Sequence, residues 1–183
     1  TLFPYTTLFR SSYDRVGNAC TLKINNWHDI LHDQTVIIPN AADFNLDQDI
    51  TLKISKSVMQ DAARRANDGV KNGILEMSNT SYQDGTIPKV VAIDTDWSHT
   101  FSGKNGLYSI ALNNLDTTAV NDMQYMFHEC RNLNAINLSG FDTSSVTNMS
   151  YMFNQCTDLE KLEFGENWNT VNVTDMKYMF SNL

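Results

Sequence analysis

Apolar residues return at fixed distances through the second half of the chain. In "FDTSSVTNMSYMFNQCTDLEKLEFGE" (141–166), Met149, Met152, Phe153 and Cys156 fall at i, i+3, i+4 and i+7. That spacing predicts one buried stripe on a two-turn helix. Thr147 or Asn148 precedes the stripe as a candidate N-cap, whose side-chain oxygen would satisfy a free amide of the first turn. Leu159, Leu162 and Phe164 follow as L-x-x-L-x-F, which predicts a short strand with its apolar side turned inward. A helix of two turns is not stable alone. The pattern therefore requires neighbours of the same kind.

The neighbours are present. "LDTTAVNDMQYMFHECRNLNAINLSG" (115–140) precedes the unit at a 26-residue period. "WNTVNVTDMKYMFSNL" (168–183) follows it, with the period lengthened by one inserted residue. Val120, Val146 and Val173 correspond, as do Met123, Met149 and Met176, and Cys130 matches Cys156. A degenerate unit lies upstream: Leu107, Ile110 and Leu112 match Leu133, Ile136 and Leu138, and Trp97 stands in the slot of Met123. The repeat thus begins near Thr95. Stacked units would share one core of Met, Phe and Leu with their strands in a parallel sheet. This predicts an α/β leucine-rich-repeat solenoid over residues 95–183.

Residues 12–94 read as a small α/β cap over the first open face of that array. "CTLKI" (20–24), "TVIIP" (35–39), "ITLKI" (50–54), "GILEM" (73–77) and "KVVAI" (89–93) are strand-like, rich in β-branched residues between polar clusters. Ser57 is placed to cap a helix over "SVMQDAARRAND", with Val58, Met59, Ala62, Ala63 and Ala66 on one face and Gly69 as its end. "SNTSYQDG" (78–85) reads as a loop.

The repeat "FDTSSVTNMSYMFNQCTDLEKLEF" (141–164) closely resembles that of the BspA-like leucine-rich-repeat surface proteins of bacteria. The resemblance covers about 90 residues of the chain, on the repeats of this period. "VIIPNAADF" and "DTDWSHTFSG" also resemble, less closely, the lead-in of such proteins in lactic-acid bacteria. The resemblance implies a secreted or wall-anchored protein that adheres to host matrix or to other microbes. Its partner would be a protein or a glycan on a host or microbial surface.

The first eleven residues, "TLFPYTTLFRS", stand apart. Pro4, Thr6 and Thr7 interrupt the apolar run and Arg10 lies at its wrong end for a secretory signal. They coincide, without a mismatch, with the translation of a reagent adapter used in short-read DNA sequencing. Thr1 to Ser11 are therefore read as adapter-derived and left out of the fold. On this reading the native start lies upstream, and the last unit stops before its strand.

Composition adds limits. A hydrophobic content of 42% with 19% charged residues fits a folded chain. The net charge of −8 is concentrated late: from Leu115 onward nine acids face three bases. Such a surface repels phosphate backbones, so nucleic acid is not an expected partner. No window supplies the ~20 apolar residues of a membrane span.

Candidate chemistry is sparse. "HDILH" (28–32) has the H-x-x-x-H spacing of zinc peptidases. Asp29 replaces their Glu, however, and no third ligand is apparent, so a polar hairpin is the preferred reading. "DFNLDQD" (43–49) alternates acids like a calcium loop, but Gln48 replaces the required Gly and Ile54 the last Glu. Cys20, Cys130 and Cys156 lack metal-ligand spacing. Cys130 and Cys156, in one slot of adjacent units, read as buried thiols rather than a bridge. No cofactor, metal or catalytic constellation is expected, and the chain is not read as an enzyme. The expected binding surface is the outer strand face, at Ser109, Ala111, Ala135, Asn137, Lys161 and Glu163. A spacer role is the alternative, and a repeat region attached to a secreted hydrolase is a weaker one.

Overall fold

The computed structural model describes residues 11–24, 35–68 and 72–183. Two sheets run through the molecule. The longer is wholly parallel and takes β3 (Thr35–Ile38), β5 (Gly73–Met77), β7 (Leu107–Ala111), β9 (Ala135–Leu138) and β10 (Lys161–Phe164), in that spatial order. The other orders β1 (Ser11–Val16), β2 (Ala19–Ile24), β4 (Thr51–Ile54), β6 (Val90–Ala92) and β8 (Leu115–Asp116), and only its β1–β2 pair is antiparallel. The five upstream strands read from β-branched content are all present. The sequence period sets the register of the longer sheet: Ser109, Ala135 and Lys161, each one period from the next, are paired. Strands β3 and β5, from the region before Thr95, continue this same sheet. One set of buried residues runs from Cys20 to Met179.

Helix α1 (Lys56–Asp68) buries Met59, Ala62, Ala63 and Ala66, the face its 3.6-residue period requires. It begins earlier than the sequence suggests. Ser55, not Ser57, is the cap: the Val58 amide donates to Ser55 Oγ at 3.3 Å. The Lys56 amide donates to the Asp94 carboxylate, so a second acceptor secures the same end. Gly69 lies outside the described residues, as do Thr1–Arg10. Ser11, assigned to the adapter from its sequence, is the first residue of β1 and pairs with Ile24. Deleting residues 1–10 is expected to leave the melting temperature within replicate scatter; a loss of several degrees would mean that they pack.

The repeat stripe is buried as its spacing requires. Met123, Met126, Phe127 and Cys130, and then Met149, Met152, Phe153 and Cys156, are fully enclosed. It is not a helix, and this corrects the sequence reading. An α-helix would keep its amides within the segment. Here alternate amides leave it: Met123, Tyr125, Phe127 and Glu129 donate to the carbonyls of Asn148, Ser150, Met152 and Asn154 in the next unit. The intervening amides of Met126, His128 and Cys130 close turns onto residues three back. Tyr125 (φ 55°) and Glu129 (φ 57°) take left-handed backbone conformations, as do Tyr151 (57°) and Gln155 (62°) one unit later. A left-handed residue every fourth position breaks any helix. Asn148 still serves the amide of Ser150, at 3.0 Å, but in an Asx turn.

Each departing amide belongs to a peptide group whose carbonyl accepts from the unit before. Gly103 donates to His128, Glu129 to Asn154 and Gln155 to Ser181. Four such columns cross the repeats, all with donors pointing toward the C-terminal end. Two aromatic stacks run beside them. Phe101, Phe127 and Phe153 stack inside and the part-exposed Phe180 ends the row, at 5.0–5.5 Å between centroids. His99, Tyr125, Tyr151 and Tyr178 stack outside at 4.7–5.1 Å.

The inward strand side is complete at β9, where Ile136 and Leu138 are enclosed. At β10 the expectation fails: Leu162 is half-buried and Phe164 is 39% exposed, because no strand among the described residues pairs with its outer edge. Units approach closely after each strand. A Cβ on Gly140 would collide with the Asn113 carbonyl. Gly140→Ala should therefore cost ~1–3 kcal/mol, the usual range for overpacking, measured as a shift in urea midpoint at constant slope. An unchanged midpoint would show that the units can separate freely.

Candidate functional site

The six outer-face residues come together as two adjoining rows on the long sheet. Ser109, Ala135 and Lys161 are paired in one row. Ala111, Asn137 and Glu163 are paired in the next, with Glu76 extending it through β5. Strand alternation puts both rows opposite the buried Ile110 and Ile136. Lys161 and Glu163 are exposed, and the other four are half-buried. Asn137 Nδ2 donates to Glu163 Oε2 at 2.7 Å, while Asn137 Oδ1 accepts from the Ser139 amide at 2.9 Å. Short side chains make this strip shallow, so a ligand can approach the sheet closely along it. It offers hydrogen bonds and one charge of each sign at β10.

The remaining candidates fall elsewhere. "HDILH" lies outside the described residues. In the acidic stretch 43–49, Asp43 closes a capping box on the 3₁₀ helix Ala41–Phe44, taking the Asn40 amide at 2.7 Å and the Thr80 hydroxyl at 2.6 Å. Asp49 accepts from Asn18 at 2.9 Å. Among the described residues, no three His, Cys, Asp or Glu side chains are grouped to hold a metal ion.

All three cysteines are buried and free. The Cys130 thiol donates to the Phe101 carbonyl and the Cys156 thiol to the Phe127 carbonyl. Burial pushes both thiols up to about 12, which leaves almost no thiolate near neutrality. Both should resist a disulfide-exchange reagent in the native protein and react rapidly once urea unfolds it. Rapid labelling of either in the folded state would mean that the core opens locally.

One feature of the surface had no sequence signal in isolation. Gly73 pairs with Leu107 and Ile74 with Ser109, so Tyr108 is the extra residue of a β-bulge. Bulges turn a side chain away from its alternating position, and the Tyr108 ring is 41% exposed. The regular spacing of Tyr108, Asn134 and Glu160 showed their equivalence, but not the bulge.

Among the described residues no helix is long and apolar enough to cross a membrane. No curated protein and no solved structure matches the chain. Its repeat half, residues 95–183, matches the family described as "Mycoplasma protein of unknown function, DUF285".

Proposed function

We propose that residues 95–183 form a leucine-rich-repeat solenoid of the BspA-like kind, and that the chain is a binding module of a secreted or cell-surface bacterial protein. Its role is adhesion to a protein or glycan on a host or microbial surface. The observation that carries this reading is the pair of shallow rows Ser109–Ala135–Lys161 and Ala111–Asn137–Glu163 on one sheet face. Regular stacking repeats such a strip once per unit, which suits an extended partner. Localisation follows from the resemblance of the repeat.

The test is adhesion of the purified protein to immobilised extracellular-matrix proteins, to arrayed glycans and to whole bacteria. Asn137→Arg and Ala135→Arg, which fill the strip without touching the core, should abolish retention on whichever surface binds. Retention unaffected by both would remove the strand face from the function. The spacer reading draws on the four hydrogen-bond columns, which tie unit to unit in one direction. It predicts no retention on any of the three surfaces.

A further inference from the structure

A cleft of about 780 Å³ opens where α1 ends and where β7, β9 and β10 begin. Tyr108, turned outward by the bulge, lies in its lining with Asp68, Asn132, Asn134, Asp158 and Glu160. Tyr108, Asn134 and Glu160 occupy one repeat position in three successive units. No Lys, Arg or His lies among the described lining residues.

The hydrogen bonds of the chain decide what this lining offers. Asn132 Nδ2 donates to the Asn105 carbonyl at 2.6 Å, and Asn134 Nδ2 to the Asp158 carbonyl at 3.2 Å. Each bond uses one of the two N–H donors of its amide and fixes the orientation of the group, so both oxygens remain as acceptors beside one N–H each. The hydroxyl of Thr157, also in the lining, is spent as a donor to the Arg131 carbonyl. Asp158 and Glu160 are exposed, and among the described residues neither pairs with a cation. The carboxylates of Asp158 and Glu160, amide oxygens and one exposed aromatic ring therefore share a concavity whose described lining residues carry no positive charge, while Asp68 at the end of α1 is paired with Arg64 at 3.3 Å. A planar guanidinium is matched by carboxylates that accept its donors and by a ring on which it stacks.

We propose that this cleft binds an arginine side chain of a basic peptide segment on a partner protein, with Asp158 and Glu160 as its acceptors and Tyr108 as its stacking surface. The proposal rests on the reading of the chain as a binding module and adds the chemistry of one partner. It is independent of the strand face.

The probe is an acetylated, amidated tetra-arginine peptide, compared with its tetra-citrulline counterpart, which keeps the shape and loses the charge. Titration of the full chain should give saturable binding of the arginine peptide and none of the citrulline one. Asp158→Asn with Glu160→Gln should weaken binding by about tenfold or more, since a close charge pair is lost. Asp122→Asn with Glu166→Gln removes the same charge outside the cleft and should weaken it by less than about twofold, as screened surface charges do. Tyr108→Ala should weaken binding and Tyr108→Phe preserve it. Equal loss in the two charge pairs would reduce the effect to net charge and overturn the proposal, as would binding of citrulline or no saturation. Asn137→Arg separates the readings: if adhesion depends on it while arginine peptide never binds, the cleft proposal alone falls.

Discussion

Phe153→Ala is expected to remove roughly 3–5 kcal/mol of stability, the range for truncating an enclosed aromatic. Against a total of about 5–15 kcal/mol for an ordinary domain, that loss is a large fraction of the whole. The Phe153 side chain is fully enclosed. It lies between Phe127 at 5.4 Å and Phe180 at 5.5 Å, with Phe164 edge-on at 6.3 Å. Truncation empties the centre of a stack whose neighbours are held by inter-unit backbone bonds on both sides: Phe127 donates to Met152, and Phe153 to Met179. The backbone cannot close over the gap without breaking those bonds. Tyr151, two residues earlier on the outer stack, is only half-buried. Tyr151→Ala should cost well under half as much, because much of the ring already meets water. Urea denaturation of the two variants compares them directly. A near-neutral Phe153→Ala would mean that the buried stripe has been placed one residue out of register.

The contrast between those two residues shows which part of the fold could be read from the chain. The stripe Met149, Met152, Phe153 and Cys156 is correctly inward, and the repeat period gives the pairing of Ser109, Ala135 and Lys161. Backbone conformation was not legible from the stripe. Burial at i, i+3, i+4 and i+7 is met equally by an α-helix and by successive turns with a left-handed residue every fourth place. One signal did point to the turns. The slot of Glu129 and Gln155 holds Gly103 (φ 70°) in the first unit and Asn182 (φ 57°) in the last, residue types that favour positive φ. The β-strands upstream were legible from their own composition. Their membership of the two long sheets was not, since nothing before Thr95 repeats at the period that defines the register. The outer strand face followed from alternation alone. The cleft beside it needed the bulge at Tyr108 and the end of α1, features distant in the chain that no local pattern connects.

Residues 167–183 are expected to exchange their amide hydrogens faster than any other part of the repeats. Within that stretch only Met179 is buried, while Val171 is 80% exposed and Phe180 46%. The amides of Met176, Tyr178, Phe180 and Asn182 occupy the positions that donate to a following unit elsewhere, and none has an acceptor among the described residues. Thr143 ties its unit to the next, its hydroxyl donating to the Asn169 carbonyl and accepting from the Asn169 amide. Thr170, in the same slot, is exposed. The face thus carries unpaired amides beside exposed apolar side chains among the described residues. Because all four columns end in donors, two copies cannot pair this turn edge to edge about a two-fold axis, since donors would meet donors. Association of the chain is expected instead through the exposed apolar side chains, which would raise its mass with concentration in sedimentation. Appending a copy of residues 157–166 followed by a copy of residues 141–156 keeps the period, supplies acceptor carbonyls for these amides and covers Phe164 and Phe180. Exchange at the four amides should then slow by about tenfold or more, as for groups moved from a fraying end into a packed unit, and the mass should become constant. Protection that is already uniform to Leu183 in a monodisperse monomer would show that the last turn is held without a neighbour, and that the columns contribute little to joining the units.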